Sequence, residues 1–317
     1  MTARRLNKDR VLAVLLISPS LLAMAIFVYA FIAWTGWASL LRWNDLLPLR
    51  PLPGFPEIKI LPPESTFVQL GNYLRLIQRD QRFQQDIENT VVFTVLFIAV
   101  SLALGLLLAV LLDAKIRGEG LFRGIYLFPM SVSFIVTGVV WRWVLTPGTV
   151  QTGAVGINLL FDKVGLGFLK NGWYTDPDIG IKAVVIAAAW QMAGYTMALY
   201  LAGLRGIPED LREAARVDGA NEWQIFRRII LPLLQPVTLS AVIILGHISL
   251  KIFDLISSMT GPGPGFSSDV PAYYLFDTVF RGNNFARGAA IAILLLVMVS
   301  VLVVPYLIYS ARTEVER

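Results

Sequence analysis

The sequence predicts an all-α polytopic membrane protein with six transmembrane helices and both termini in the cytoplasm. Three observations carry that prediction. Of 317 residues, 56% are hydrophobic and 15% charged, and the mean hydropathy is +0.65, where a soluble domain carries roughly 25% charge. Six charge-free apolar stretches approach or exceed the roughly 20 residues that cross a bilayer as a helix, far beyond a barrel strand. The basic residues, net charge +5, fall mostly between those stretches, as the positive-inside rule describes.

The spans are expected at about 11–37, 89–112, 124–145, 181–204, 232–256 and 286–310, within one transmembrane domain covering 1–317. The first lies in the charge-free run Val11 to Leu41, with Trp34 and Trp37 at its far end as interfacial anchors. Its length and the lack of a small-residue cleavage site argue against a removed signal peptide. Arg4, Arg5, Lys8 and Arg10 place the N-terminus inside, and six crossings return the C-terminus there. On that topology Lys115, Arg117 and Arg123, then Arg205, Arg212, Arg216, Arg227 and Arg228, then Arg312 and Arg317 all fall inside. The segment Arg42 to Glu88 lies outside despite six basic residues, which its length and six acidic residues allow.

That outer segment opens with a proline-rich stretch, Pro48 to Pro63, expected to lack regular structure. Phe67 to Ile87 follows with helical spacing of Leu70, Tyr73, Leu74 and Ile77, read as a cap on the outer membrane face. A second outer segment, Thr146 to Asp178, carries an amphipathic pattern over Gly156 to Leu169 and ends in Trp173, Tyr174 and the turn Asp176-Pro177-Asp178.

The inner loop is the most informative segment. Gly206 to Pro236 reads GIPEDLREAARVDGANEWQIFRRIILPLLQP. Pro208 suits a first helical position, and Glu209 and Asp210 complement the positive helix start. Leu211, Ala214, Ala215 and Val217 gather on one side until Gly219 takes the left-handed conformation that ends a helix. Asn221 then caps a second helix, with Gln224 three residues on for a capping box, and Pro232 interrupts the ladder where the next span begins. This loop, 206–232, is an amphipathic helical knuckle that either lies on lipid or meets another protein.

Glu213-Ala214-Ala215, Gly219 four residues beyond, and Ile229 followed by Leu231-Pro232 resemble the EAA signature of bacterial ABC importer permeases. That resemblance implies the permease fold of type I ABC importers, with a coupling element that docks on a cytoplasmic ATPase subunit. It assigns Glu213, Ala214, Ala215, Asp218 and Gly219 to the ATPase interface. Gly71-Asn72-Tyr73, Asn89-Thr90, Arg117-Gly118-Glu119-Gly120, Pro129, Trp141-Arg142-Trp143 and Phe253-Asp254 are similar to the carbohydrate, maltose-type branch. The runs GEGLFRGIYLFPMSVSFIVTG and HISLKIFDL look most like glucose/mannose permeases. Gly261-Pro262-Gly263-Pro264-Gly265 departs from the paired glycines before proline-glycine more frequent in that family. The implied partners are a second homologous permease, two ATPase subunits, an extracytoplasmic sugar-binding protein, the sugar, and the lipid of a bacterial or archaeal cell membrane.

Ionisable groups inside spans are default pathway candidates because hydrocarbon makes them costly. His247, Lys251 and Asp254 stand four and three residues apart, hence on one helical face, with Lys251 able to pair with Asp254. They either contact substrate or lock the helix. Gln191 and Tyr195 share a face of the fourth span, beside Trp190 and Thr196, and serve either a sugar or helix packing. Trp141-Arg142-Trp143 reads as an interfacial anchor with a snorkelling arginine.

Other classes fit less well. There is no cysteine and one histidine, which leaves no thiolate or histidine-cluster metal site and no Cys nucleophile. No Gly-rich loop followed by Lys-Ser/Thr cradles a phosphate, so ATP and Mg belong to a partner ATPase and the chain is not itself an enzyme. Nucleic acid is not a partner. An ion-driven carrier would need deep intramembrane carboxylates and broken repeats. A membrane enzyme would need clustered acids, whereas Asp45, Glu57 and Glu64 are scattered in a loop.

Overall fold

The computed structural model describes residues 8–43, 50–52, 54–60, 67–114 and 117–315. Arg4, Arg5, Asp45, Pro48, Pro63, Glu64, Lys115 and Arg317 lie outside the described residues. By internal contact the chain divides into one unit of residues 1–79 with 275–294 and another of residues 80–274 with 295–317.

In the first unit, α1 (Lys8–Met24), a π-helical turn (Ala25–Ala30) and α2 (Phe31–Ser39) run on as one apolar rod. Its span-length portion, Ala13–Ser39, has no buried residue in its most apolar window. The outer segment is not irregular throughout: β1 (Arg50–Leu52) pairs antiparallel with β2 (Phe55–Ile60). Pro51 and Pro56 read as loop formers, but a hairpin made of two edge strands tolerates proline. The segment from Phe67 is also not one helix. α3 (Gly71–Arg79) closes first, and it is clamped to the end of α2 by Asn72, whose amide donates to Ser39 O (2.7 Å) and Leu41 O (2.9 Å). The Tyr73 and Ser39 hydroxyls share a further hydrogen bond at 2.5 Å. α3 buries Leu76 and leaves Leu74 and Ile77 exposed, as is Leu70 in the turn before it.

The second unit is a bundle around α8 (Gly180–Arg205), whose apolar window is 72% buried. α4 (Gln81–Asp113) packs along it. This helix begins eight residues before the expected Asn89, because Asp80 caps it by accepting from Phe83 N at 3.3 Å. Small residues set the spacing. A Cβ on Gly105 of α4 would lie 2.1 Å from Thr196 Oγ1, and one on Gly194 of α8 would lie 1.9 Å from Tyr126 O, so the backbones touch as membrane helices do at glycine. Thr196 is spent on this contact, donating to Ser101 O at 2.7 Å.

The third expected span is not one rod. α5 (Glu119–Ser131) and α6 (Phe134–Val144) meet at 100°. Val132 is extended, and Ser133 caps α6 by accepting from Val136 N at 3.3 Å. The fifth is bent as well. α10 (Glu222–Ile225), a π turn (Phe226–Ile230) and α11 (Leu231–Leu233) meet α12 (Gln235–Leu250) at 60°. α12 ends at Leu250 rather than 256, and α13 (Asp254–Met259) follows after a break. Among the described residues there are therefore four helices long and apolar enough to cross a membrane, or up to six if each bent pair is one span. α14 (Pro271–Phe276) and α15 (Phe285–Val315) complete the chain, α15 passing from the first unit's residues to the second's after Leu294.

At one end of the second unit, the loop Gly261 to Asp269 folds back on α4. Arg82 Nε meets the fully buried Asp269 carboxylate at 2.6 Å and stacks on the rings of Phe266 and Tyr274, 4.9 and 4.4 Å from their centroids. Asn89 donates to Phe266 O and Asp269 O.

Candidate coupling surface and membrane path

The knuckle lies wholly within the second unit, at the opposite end of α8 from that helix's start. α9 (Glu209–Val217) opens one residue later than proline at the first position requires: Pro208, with ψ 133°, stands at the N-cap. Glu209 and Asp210 occupy the first turn, where they face unpaired backbone N–H groups. Gly219 stops the helix with φ +83°, and a Cβ there would meet nothing within 4 Å. Asn221 and Gln224 form the complete capping box, each side chain bonded at 2.9 Å to the other's backbone N–H.

The knuckle is anchored from above. Ala215, Ile225, Ile230 and Leu234 join a buried cluster with Ala109 and Leu112 of α4 and Met197, Tyr200, Leu201 and Leu204 of α8. Arg212 binds Asp113, the last residue of α4, at 3.2 Å, and Arg216 ties Glu222 (2.9 Å) and Glu209 (3.5 Å) around the turn. Those carboxylates, Glu222 first, hold the Arg216 guanidinium above its ordinary pKa. Beside the knuckle, Glu119 bridges Arg123 of its own helix and Arg205 at the end of α8, the latter at 2.8 Å.

With one side anchored, the other is bare. Glu213, Ala214, Asp218 and Gly219 are exposed, together with Val217 and Trp223. Ala215 is the exception among the five expected interface residues: at 8% exposure it faces the bundle, because its helical position points toward Leu112 and Leu204 rather than outward. Asp113, which sequence reasoning did not single out, and Glu119, which it named only within Arg117-Gly118-Glu119-Gly120, brace the knuckle from helix ends far away in the chain.

The expected path residues are dispersed. Gln191 is 2% exposed, and its amide donates to Val132 O at 2.6 Å, tying α8 to the break between α5 and α6; its Oε1 is without a hydrogen-bond partner among the described residues. Tyr195, one turn on, is half-buried against the main core cluster. Trp190 meets Trp141 edge-on at 5.9 Å, and both line an apolar cavity of about 580 Å³ with Tyr126 and Pro129. Trp141 is thus a packing residue, while Arg142 and Trp143 of the Trp141-Arg142-Trp143 run are exposed, Trp143 at 71%. His247 is half-buried on α12. Lys251 and Asp254 do not continue its face. Lys251 is the C-cap, Asp254 starts α13, both are exposed, and no ion pair joins them, because the helix that would have aligned them ends at Leu250.

The family model of the binding-protein-dependent transport system inner membrane component matches residues 101–313. The chain belongs to this family. A probable ABC transporter permease of Pyrococcus horikoshii is 42% identical over 98% of this chain and 99% of its own length. The trehalose/maltose transport system permease of Thermococcus litoralis is 30% identical over 97% and 96%. The xylose/arabinose import permease of Haloferax volcanii is 38% identical over 79% and 77%. Among solved structures, a chain of a bacterial ABC transporter that imports the acidic polysaccharide alginate superposes with a TM-score of 0.74 at 22% identity, covering 96% of each chain.

The inner membrane component is thus an ABC importer permease in fold and family, a membrane conduit and not an enzyme. ATP hydrolysis belongs to the partner ATPase of such a system. The matched region begins inside α4 and takes in the whole knuckle.

Proposed function

We propose that this permease carries a sugar across the cell membrane, receiving it from an extracytoplasmic binding protein and coupling its passage to a separate ATPase through the knuckle. The observation that carries the reading is the knuckle's two-sidedness: Ala215, Ile225 and Leu234 are fixed to α4 and α8, while Glu213, Ala214, Asp218 and Gly219 are left bare. The bare side mixes the acidic Glu213 and Asp218 with the apolar Leu211, Val217 and Trp223, a mosaic suited to a groove on another protein, whereas a loop made to lie on lipid presents an unbroken apolar face flanked by basic residues. In this reading both termini are cytoplasmic, and the permease works with a second homologous permease and two ATPase subunits. Closure of the ATPases on ATP biases the permease between inward-open and outward-open states, which requires ATP to bind the two states unequally.

The sugar class is supported by relatives named for trehalose/maltose and for xylose/arabinose. Glucose or mannose rests on the runs GEGLFRGIYLFPMSVSFIVTG and HISLKIFDL. Within the path, Gln191 shapes the conduit by holding the break between α5 and α6, Tyr195 and His247 offer polar groups along it, and Lys251 and Asp254 stand at its mouth.

The test is co-purification of the chain with the ATPase in nanodiscs, followed by sugar-stimulated ATP hydrolysis for wild type and for Glu213→Arg combined with Gly219→Pro. Loss of both association and stimulation supports the coupling surface, and a sugar panel then names the substrate. Sugar uptake by the chain alone, driven by an ion gradient and indifferent to these changes, overturns it.

A further inference from the structure

We propose that α7 (Gly156–Lys163) and the turn after it, to residue 169, lie flat in the membrane interface at the end of the second unit opposite the knuckle, with Phe168 inserted among the lipid acyl chains. The helix has a clear inner side. Ile157 packs on the core, Asn158 is 4% exposed and is bonded to Asn171 O (2.9 Å) and Trp173 Nε1 (2.8 Å), and the ring of Phe161 lies 6.4 Å from that of Trp173.

The outer side is the anomaly. Leu159, Leu160, Val164, Leu166, Phe168 and Leu169 are all exposed, Phe168 at 79%. Asp162 and Lys170, exposed beside them, neutralise each other at 2.7 Å, which leaves Lys163 as a cation without an ion-pair partner among the described residues. A helix facing water presents polar groups there, and single exposed leucines are ordinary, but a contiguous apolar face flanked by a lysine is the pattern of an interfacial helix.

Depth decides between lipid and a protein cover. A Cβ on Gly156 would lie 2.3 Å from Val144 O and 3.0 Å from Trp143 O, so α7 starts hard against the end of α6. That end carries the exposed Trp143, with Arg142 over the ring of Tyr174 at 5.9 Å and Thr146 bonded to the Tyr174 hydroxyl at 3.2 Å. Tryptophan, tyrosine and arginine gathered at the end of an apolar helix mark the headgroup level. α7 starts at that level, so in this proposal its exposed apolar residues continue the belt and Lys163 meets lipid phosphate.

The chain has no cysteine, so Phe168→Cys, Val164→Cys and, as a control in the exposed turn, Asp178→Cys each give one labelling site. Nitroxides at these positions are compared, in the assembled importer in nanodiscs, for collision with oxygen and with a water-soluble nickel chelate. Positions 164 and 168 are expected to favour oxygen several-fold and position 178 the chelate. Chelate access at 164 and 168 overturns the proposal, and so does exclusion of both reagents, which means a protein covers the face. Either position alone decides, so a folding defect in one variant leaves the other to answer.

Discussion

Arg212 reaches Asp113 at 3.2 Å and binds the first helix of the knuckle to the last residue of α4, 99 residues earlier in the chain. Both side chains are mostly shielded, at 16% and 19% exposure. A push on the knuckle is therefore delivered to α4 through an ion pair as well as through apolar packing.

We predict that Arg212→Ala or Asp113→Ala costs about 1–3 kcal/mol, less than a fully buried pair because water still reaches both groups. The informative readout is ATP hydrolysed per sugar imported in proteoliposomes, which should rise in either single variant. Arg212→Asp combined with Asp113→Arg should bring the ratio back toward wild type; no recovery would mean the pair does not transmit.

Gly219 adopts φ +83° in open space, so a side chain there pays only for the backbone. Gly219→Asn should be nearly silent, whereas Gly219→Val should cost about 1–2 kcal/mol. Thermal melting of the solubilised importer checks the order. Equal effects of the two would point to lost contact with a partner rather than strain.

Glycines in the bundle divide by what they face. Gly194→Ala drives a methyl into Tyr126 O and should destabilise by about 3 kcal/mol, as overpacking against rigid backbone does. Gly120→Ala and Gly124→Ala in α5 meet nothing within 4 Å and should be neutral or stabilising by up to about 1 kcal/mol. A melting series over the three variants tests the contrast.

Asp269→Asn leaves Arg82 facing a neutral amide and should cost about 3 kcal/mol. Limited proteolysis should then cut the loop between Gly261 and Asp269 faster than in wild type. Unchanged cleavage would show that the stacking of Arg82 on Phe266 and Tyr274 holds the loop by itself.

Local chemistry was readable in advance where it was complete within a few residues. The stop at Gly219 follows from a backbone free to take positive φ, the acidic first turn of α9 from charge facing the helix start, and the Asn221–Gln224 box from side chains bonding to neighbouring backbone. Breaks inside apolar sequence were not readable. The bend at Val132 is held by Gln191, 59 residues away, and the stop at Leu250 falls inside HISLKIFDL, where helical spacing reads straight through it. Extrapolating helical spacing through Leu250 is what aligned Lys251 with Asp254, and the chain does not continue that spiral. Pairings such as Arg82 with Asp269 leave no local mark at all, since only the fold brings the two together.

The 60° elbow at Leu234 behaves as a bell crank. Leu234 is fully buried, and each arm bonds to it, Leu234 N donating to Ile230 O at 3.0 Å and Leu234 O accepting from Thr238 N at 2.9 Å, so the corner is held by packing and by both arms and is stiff. Its arms, Glu222–Leu233 and Gln235–Leu250, are about 18 and 24 Å long at 1.5 Å per residue. A stiff crank with nearly equal arms changes the direction of a stroke and hardly its size. Swinging the knuckle arm by about 10° moves its tip roughly 3 Å and the far end of α12 roughly 4 Å. In the proposed coupling, an opening beside His247 would then follow the stroke of the ATPase, with little leverage to enlarge it.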